Sequence, residues 1–192
     1  MADVLAIAGS ARRNGNSDAV LDAALDVLRE AGAEVEILVP GQIKIEPCRS
    51  CCECWNTGIC AIRDDLTALY PRFEQAKCMV VSAPVYFASL PGHLKIMIDR
   101  FQPHWCRTFR LNDPPQPRRR GIFLCVGAME GEHFYQCSRR VVASWMACLN
   151  MKCVASEFFP GVDARDDHRG HPEYLVRARE AARDLLNGLD SS

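Results

Sequence analysis

The chain has 192 residues, of which 48% are hydrophobic, so it is long enough to bury a core without disulfides, and we expect residues 1–192 to form a single domain. Its formal net charge of −1 gives no electrostatic attraction to nucleic acid or to an anionic membrane, which excludes both as expected partners. The sequence begins Met-Ala-Asp without a basic leader, and no apolar run approaches the length of a bilayer span, so we expect a cytoplasmic protein.

The first predicted unit is an apolar strand, Val4–Ala8, followed by a loop of small and polar residues and then an amphipathic helix. A βα turn of this kind presents backbone N–H groups and a helix N-terminus to an anion. The glycine pattern of dinucleotide sites and the P-loop pattern are both missing, which favours the phosphate of a mononucleotide. An ordinary polar βα loop is the alternative for this stretch taken alone. The candidate phosphate ligands are Ser10, Arg12, Asn16 and Ser17.

Helical and strand periodicities alternate along the rest of the chain. The first helix ends near Gly32, alternating apolar residues at 35–39 predict a second strand, and Asp64 and Asp65 suit the start of the next helix. Further strands are predicted at 78–83, 122–126 and 152–159, with helices around 94–101, 134–149 and 172–189.

A long connection at 102–120 separates two of these elements, and connections of this length usually are functional or carry short structure of their own. Its Pro-rich part, 113–120, is interpreted as a surface loop. The basic run at 118–120 could meet an acidic electron carrier or a 2′-phosphate, but we interpret Arg118, Arg119 and Arg120 as a solvated loop face.

Five strands alternating with helices predict an α/β fold with a doubly wound parallel sheet, right-handed crossovers and helices on both faces. Such sheets bind ligands beyond the carboxyl ends of their strands. The loops at 9–17, 83–92 and 127–133 are therefore the expected site.

The second of these loops combines two prolines and a glycine with two aromatic residues, which suits the binding of a planar redox ring. The candidate residues are Pro84, Val85, Tyr86 and Phe87. Taken alone, the aromatic side chains could instead close the core. Beside a mononucleotide phosphate site, the loop favours a flavin.

Five of the eleven cysteines lie between Cys48 and Cys60, within a cysteine-rich loop at 47–63. Cys48, Cys51, Cys54 and Cys60 form a C-x2-C-x2-C-x5-C run with Cys52 left over, a spacing that can hold a 4Fe-4S cluster. Zinc, a thiol/disulfide redox site and unoccupied cysteines are the alternatives. Of the others, Cys78 and Cys125 are interpreted as core residues, and Cys106, Cys137, Cys148 and Cys153 lack a ligand-like spacing.

Four motifs together with the cysteine run resemble the NAD(P)H-dependent FMN reductases of flavodoxin-like fold, and among them the iron–sulfur flavoproteins. They are Gly9-Ser10-x-Arg12-x-x-Gly15-Asn16-Ser17, Asp64-Asp65-Leu66, Pro84-Val85-Tyr86-Phe87 and Leu94-Lys95-x-x-Ile98-Asp99-Arg100, and the similarity extends to Gly161-Val162-Asp163 and His171-Pro172-Glu173.

This resemblance implies the strand order 2-1-3-4-5, an FMN phosphate held by Ser10, Arg12, Asn16 and Ser17, and an isoalloxazine lined by Pro84, Val85, Tyr86 and Phe87 with Gly127 nearby. It also implies a cluster on Cys48, Cys51, Cys54 and Cys60, and a homodimer or homotetramer.

The predicted function is an electron-transfer iron–sulfur flavoprotein that passes electrons from NAD(P)H or a ferredoxin to an acceptor through FMN and a 4Fe-4S cluster. A cluster-free NAD(P)H-dependent FMN or quinone reductase is the first alternative, and a non-enzymatic binding domain stabilised by zinc is the second. The reaction requires no general base, so His93, His104 and His133 are given no catalytic role.

Overall fold

The computed structural model describes residues 2–114 and 117–187 of the chain. Its strands are β1 (Val4–Ala8), β2 (Val35–Leu38), β3 (Cys78–Pro84), β4 (Arg119–Val126) and β5 (Met151–Phe159). Its helices are α1 (Asn16–Glu30), α2 (Cys54–Thr57), α3 (Asp65–Gln75), α4 (Gly92–Asp99), α5 (Gln102–Phe109), α6 (His133–Cys148) and α7 (Pro172–Asn187), with 3-10 turns at Pro40–Gln42 and Asp167–Gly170.

The five strands form one parallel sheet in the order β2-β1-β3-β4-β5, which confirms the predicted fold class and strand order. Every residue of β1 is buried because helices cover both faces of the sheet. Leu5 and Ile7 join a core shared with α3, α4 and α6, whereas Val4, Ala6 and Ala8 join a core shared with α1 and α7.

The predicted connection at 102–120 contains helix α5, and strand β4 begins three residues earlier than the apolar run at 122–126 indicates. The prediction of a solvated loop face is wrong for Arg119, which begins β4. Its Nη1 donates to the carbonyls of Phe73, Glu74 and Ala76, and its Nη2 donates to Leu149 O at 2.6 Å. Arg119 therefore satisfies carbonyls at the end of α3, which helix geometry leaves without partners.

Two parts of the sequence predictions lie outside the described residues: positions 115–116 of the Pro-rich patch and positions 188–189 at the end of the last predicted helix. Within the described ranges, none of the helices combines the length and the apolar character that crossing a bilayer requires.

Glu74, near the end of α3, accepts hydrogen bonds from His104 Nε2 at 3.0 Å and from Arg107 Nη2 at 2.6 Å. The contact with His104, followed by that with Arg107, lowers the pKa of Glu74 from 4.5 to about 2, although partial burial opposes the shift. Burial lowers the pKa of His104, so its imidazole, which lies between α3 and α5, is neutral at pH 7. The stabilising effect of the Glu74 carboxylate is therefore full above pH 4.5 and is lost as the pH falls towards 2.

We expect Glu74→Gln to lower the free energy of unfolding at pH 7 but to leave it close to the wild-type value at about pH 2, where the native carboxylate is itself being protonated. Urea unfolding of both proteins at the two pH values measures the difference. Glu180→Gln, at an exposed position on α7, is the control and should change stability little at either pH. An equal loss for Glu74→Gln at both pH values would contradict the assignment to the carboxylate charge.

Candidate functional site

The loops that follow β1, β3 and β4 meet at the carboxyl edge of the sheet, as predicted from the topology. Gly9 N donates to Ser82 O at 2.7 Å, and Val85 N donates to Val126 O at 2.8 Å. A Cβ added at Gly127 would lie 3.5 Å from the Cβ of Val85. The three loops 9–17, 83–92 and 127–133 therefore form one continuous surface, which we call the carboxyl rim.

Gly9 is required by close packing at the start of this rim. A Cβ at this position would lie 2.7 Å from both Ser82 O and Leu94 Cδ2. The first of these atoms belongs to the backbone of the neighbouring strand and cannot move without disturbing the ladder. Only glycine lets the loop leave β1 here.

We expect Gly9→Ala to reduce the free energy of unfolding by about 3 kcal/mol, as overpacking in a rigid core does. Gly92→Ala is the matched control, since a Cβ there meets no atom of the described residues within 4 Å beyond its own helix and chain neighbours. Urea titrations of the two variants compare them directly. Similar losses for both would show that Gly9 is not under steric constraint.

The loop at 9–17 presents the positive end of α1 to the carboxyl rim. Ser10 Oγ accepts from Arg12 N at 3.1 Å and donates to Arg12 O at 3.0 Å, which closes a tight turn. Helix α1 then starts after Gly15, and N–H groups in the first turn of a helix have no intrahelical acceptor. Asn16 and Ser17 occupy this turn and are largely buried. The arrangement suits an anion.

Asp18, in the first turn of α1, supports the loop at 9–17. It is only 3% exposed, and its carboxylate accepts from Asn14 N at 2.6 Å and from Arg13 Nη1 at 2.9 Å. The amphipathic pattern could not show this, because the residue bonds back to its own loop. Asp18 thus ties the loop at 9–17 to the first turn of α1, and its carboxylate neutralises the charge of Arg13.

A fourth segment, 161–170, contacts the loop at 9–17. Asn16 Nδ2 donates to Ala164 O at 2.8 Å, and Asn16 Oδ1 accepts from His168 N at 3.1 Å. Arg12 Nη1 donates to Asp163 O at 3.2 Å. The Asn16 amide, expected to bind phosphate, is thus engaged with this segment, whereas Arg12 lies exposed at the loop surface.

The loop after β3 projects its aromatic side chains outwards. Tyr86 and Ser89 exchange two backbone hydrogen bonds, 2.8 and 3.0 Å long, around a turn in which Phe87 and Ala88 have φ values of 49° and 57°. Two consecutive non-glycine residues in the left-handed region are strained, and such strain concentrates at ligand sites. Phe87 is fully exposed and Tyr86 is 49% exposed, so the alternative that they close the core is wrong.

His93, on α4, lies against the same rim, with Nε2 2.9 Å from Gly9 O. His104 lies elsewhere, with its ring between α3 and α5 beside Glu74. The structure therefore places His93 beside the loop at 9–17 and leaves His104 in a packing role.

The five clustered cysteines, at positions 48, 51, 52, 54 and 60, line one cavity of about 430 Å³, which we call the cysteine cavity. Cys48 and Cys51 are exposed, whereas Cys54 and Cys60 are partly buried. Within residues 2–114 and 117–187, no three Cys, His, Asp or Glu side chains are arranged closely enough to hold a metal ion. The donor set fits a metal centre, because thiols are the ligands of both iron–sulfur clusters and structural zinc.

Arg100 anchors both ends of the cysteine-rich loop. This side chain is fully buried, lines the cysteine cavity, and donates to Glu46 O at 2.7 Å and to the carboxylate of Asp64. Asp64 also caps α3 through Thr67 N. The Asp64-Asp65-Leu66 and Asp99-Arg100 motifs thus join in one ion pair that fixes the loop between them.

Cys106, to which the sequence analysis assigned no role, lies on α5 with its Sγ 3.8 Å from Sγ of Cys54. Burial, and next the neighbouring Cys106 thiol, raise the pKa of Cys54 to about 12. Without a bound metal, Cys54 is therefore a neutral thiol at pH 7. No sequence signal could reveal this pair, because the two residues are 52 positions apart.

A model of the family described as NADPH-dependent FMN reductases matches residues 2–161. The chain belongs to this family. The resemblance stated from its sequence motifs is thereby confirmed. The matched range includes the carboxyl rim, the cysteine cavity and Cys106, and it excludes most of the 161–170 segment and α7.

Curated relatives of this FMN reductase family member include proteins named iron–sulfur flavoprotein. That of Methanosarcina thermophila is 33% identical over 97 residues, which cover 50% of this chain and 51% of the relative. One from Archaeoglobus fulgidus is 37% identical over 98 residues, covering 51% of this chain and 44% of the relative. The chain spans about half the length of the curated relatives it matches.

Two solved structures show the same fold at low identity. A flavone reductase superposes with a TM-score of 0.72 at 21% identity, covering 97% of this chain and 62% of the other. An NAD(P)H:quinone oxidoreductase from Methanothermobacter marburgensis superposes with a TM-score of 0.69 at 21% identity, covering 95% and 94%. Both support the flavodoxin-like architecture of this FMN reductase family member.

A second cavity, of about 490 Å³, lies away from the carboxyl rim. Arg119 and Asn150 line it, and these residues lie at the amino ends of β4 and β5. Ligands of doubly wound sheets bind at the opposite edge. The carboxyl rim is therefore the candidate functional site.

Proposed function

We propose that the protein is an FMN-dependent oxidoreductase that transfers electrons through FMN at the carboxyl rim and a 4Fe-4S cluster in the cysteine cavity. The observation that carries the proposal is the convergence of the α1 N-terminus and the strained Tyr86–Ser89 turn on one rim. The first feature suits the phosphate of a flavin nucleotide and the second offers aromatic surface to its ring.

The phosphate is bound by the guanidinium of Arg12, the hydroxyl of Ser17 and the first N–H groups of α1. Ser10 acts mainly by closing the turn that presents Arg12. Asn16 acts through Ala164 and His168, which hold the 161–170 segment against the phosphate loop.

The isoalloxazine lies against Pro84, Val85, Tyr86 and Phe87. Gly127 allows close approach at the third loop, where any side chain would meet Val85 and Phe158. When bound, FMN supplies hydride exchange in two-electron steps and single-electron transfer. The chain contributes the shape of the rim, the hydrogen bonds to the ring, and the exclusion of water by the exposed aromatic groups.

The cluster is held by Cys48, Cys51, Cys54 and Cys60. Three observations support it: all four line one cavity, Arg100 fixes both ends of their loop, and the curated relatives carry the name iron–sulfur flavoprotein. A cluster supplies single-electron steps. The family resemblance also supports NAD(P)H or a ferredoxin as electron donor, and a homodimer or homotetramer as the assembly.

Purification under anaerobic conditions, followed by measurement of flavin, iron and acid-labile sulfide, tests the proposal. We expect stoichiometric FMN and about four irons per chain, the content of a 4Fe-4S cluster. Stopped-flow mixing with NADH, NADPH and a reduced ferredoxin then identifies the donor. Zinc without flavin would overturn the proposal.

A cluster-free NAD(P)H-dependent FMN or quinone reductase is the second candidate function. It is favoured by the spacing of the thiols, since the described part of the chain brings no three potential ligands together around one point. FMN without iron or sulfide in the same preparation would establish it.

A further inference from the structure

Cys54 and Cys106 approach each other from two different elements. Cys54 is the first residue of the short helix α2, and Cys106 lies in the middle of α5. Their Sγ atoms are 3.8 Å apart. Contacts of Arg110 hold the two helices together, since its Nε donates to Trp55 O at 3.2 Å and its guanidinium lies 4.7 Å from the Trp55 ring centroid.

We propose that Cys54 and Cys106 are a redox-active dithiol, which closes to a disulfide when the cysteine cavity holds no metal and so withdraws Cys54 from metal binding. The disulfide itself depends only on the geometry of α2 and α5. Its regulatory consequence rests on the proposed function, because Cys54 is one of the four proposed cluster ligands.

The geometry brings the two sulfurs within reach of a disulfide bond. A disulfide has a sulfur separation of about 2.05 Å, so the two atoms need to approach by less than about 2 Å. Cys54 can supply this movement because α2 is only four residues long and lies at the edge of the cavity. Cys106 is fully buried in a longer helix and is held in place.

Burial also determines the order of the two steps. Cys54 is partly exposed to the cavity, so the small fraction of Cys54 in the thiolate form attacks a small disulfide RSSR first, forming the Cys54–SR bond and releasing RS⁻, which takes up the proton that Cys54 lost and leaves as RSH. The Cys106 sulfur then attacks the Cys54 sulfur, breaks the bond to SR and releases the second RSH. The two thiol protons leave on the two RSH molecules, and the chain is oxidised by two electrons while RSSR is reduced.

Peptide mapping of the full chain tests the bond. The protein is treated with a chelator, incubated for hours with bis(2-hydroxyethyl) disulfide, alkylated and digested with trypsin. Cys54 falls in peptide 50–63 and Cys106 in peptide 101–107, so their disulfide joins two peptides that are otherwise separate. We expect this linked pair in the wild-type protein and its loss on reduction.

Matched variants assign the linked pair to the two sulfurs. Cys54→Ser and Cys106→Ser should both abolish it, whereas Cys137→Ser, at an exposed position on α6, should retain it. Circular dichroism checks that each variant folds, and Cys106→Ala replaces Cys106→Ser if the buried hydroxyl prevents folding. Disulfides confined to peptide 50–63, or a linked pair that persists in Cys54→Ser, would overturn the proposal.

Binding of Co²⁺ alone, in thiol-free buffer, tests the regulatory consequence. The absorption of Co²⁺–thiolate bonds should show at least tenfold weaker binding after oxidation of the wild-type chain, and no change after the same treatment of Cys106→Ser. Equal binding before and after oxidation of the wild type would refute the regulation. Failure of the reduced chain to bind Co²⁺ would instead count against the metal site of the proposed function, while the peptide map would still decide the disulfide.

Discussion

Arg12→Glu is expected to raise the dissociation constant for FMN about a hundredfold or more. Hydrogen bonds to charged groups contribute about 1.5–3 kcal/mol, and each 1.4 kcal/mol changes affinity about tenfold. The substitution removes the cation beside the proposed phosphate and also places a like charge there. Because Arg12 is exposed on the loop, the free energy of unfolding should change by no more than about 0.5 kcal/mol.

Quenching of flavin fluorescence during titration measures the affinity. Arg29→Glu, in the last turn of α1 and so at the end of that helix away from the loop at 9–17, makes the same change in net charge and should bind FMN nearly as the wild type does. Riboflavin provides the matched ligand, because it lacks the phosphate. Arg12→Glu should leave its affinity almost unaltered.

Unchanged FMN affinity in a folded Arg12→Glu protein would show that the loop at 9–17 does not bind the FMN phosphate. An equal loss of FMN and riboflavin binding would point instead to a distorted rim. The two ligands thus separate a charge effect from a shape effect.

The elements of the sheet could be predicted from sequence because most of the strands are covered on both faces. A strand buried on both faces is a continuous apolar run, so the run at 78–83 predicted a strand without any alternation of apolar and polar residues. The structure places β3 at Cys78–Pro84. The prediction that Arg119 belongs to a solvated loop was wrong. It rested on the polarity of the side chain, because arginine next to a Pro-rich stretch usually lies in solvent. Its acceptors come from two other segments, at 73–76 and 149, which no local pattern can join to it.

For the candidate site as well, the sequence predicted the position of the loops but not the contacts between distant residues. The loops of the carboxyl rim follow from strand order, so the topology located them without knowledge of side-chain contacts. The contact between Asn16 and His168 joins residues 152 positions apart, and no local sequence pattern could reveal it. No sequence pattern predicted that Cys106 lies near the cysteine run either. Spacing rules relate residues that are close in sequence and miss a neighbour that another helix brings near.

Cys60→Ser is expected to lower the iron content from about four to less than one per chain, while FMN content stays at the wild-type level. A 4Fe-4S cluster is held by four cysteine thiolates, and the compact run provides only four at the expected spacing. Iron and sulfide analysis, read beside the flavin absorption of the same anaerobic sample, measures both cofactors at once. Retained FMN shows that the fold has survived.

Cys52→Ser is the matched control, because Cys52 lies in the same loop and lines the same cavity but falls outside the spacing. It should keep about four irons. If Cys52→Ser lost its iron and Cys60→Ser kept it, the ligand set would have to be redrawn around Cys52. If both kept one zinc and neither held sulfide, the cavity would be a zinc site, since a single tetrahedral ion requires no inorganic sulfide and can use other cysteines of the loop.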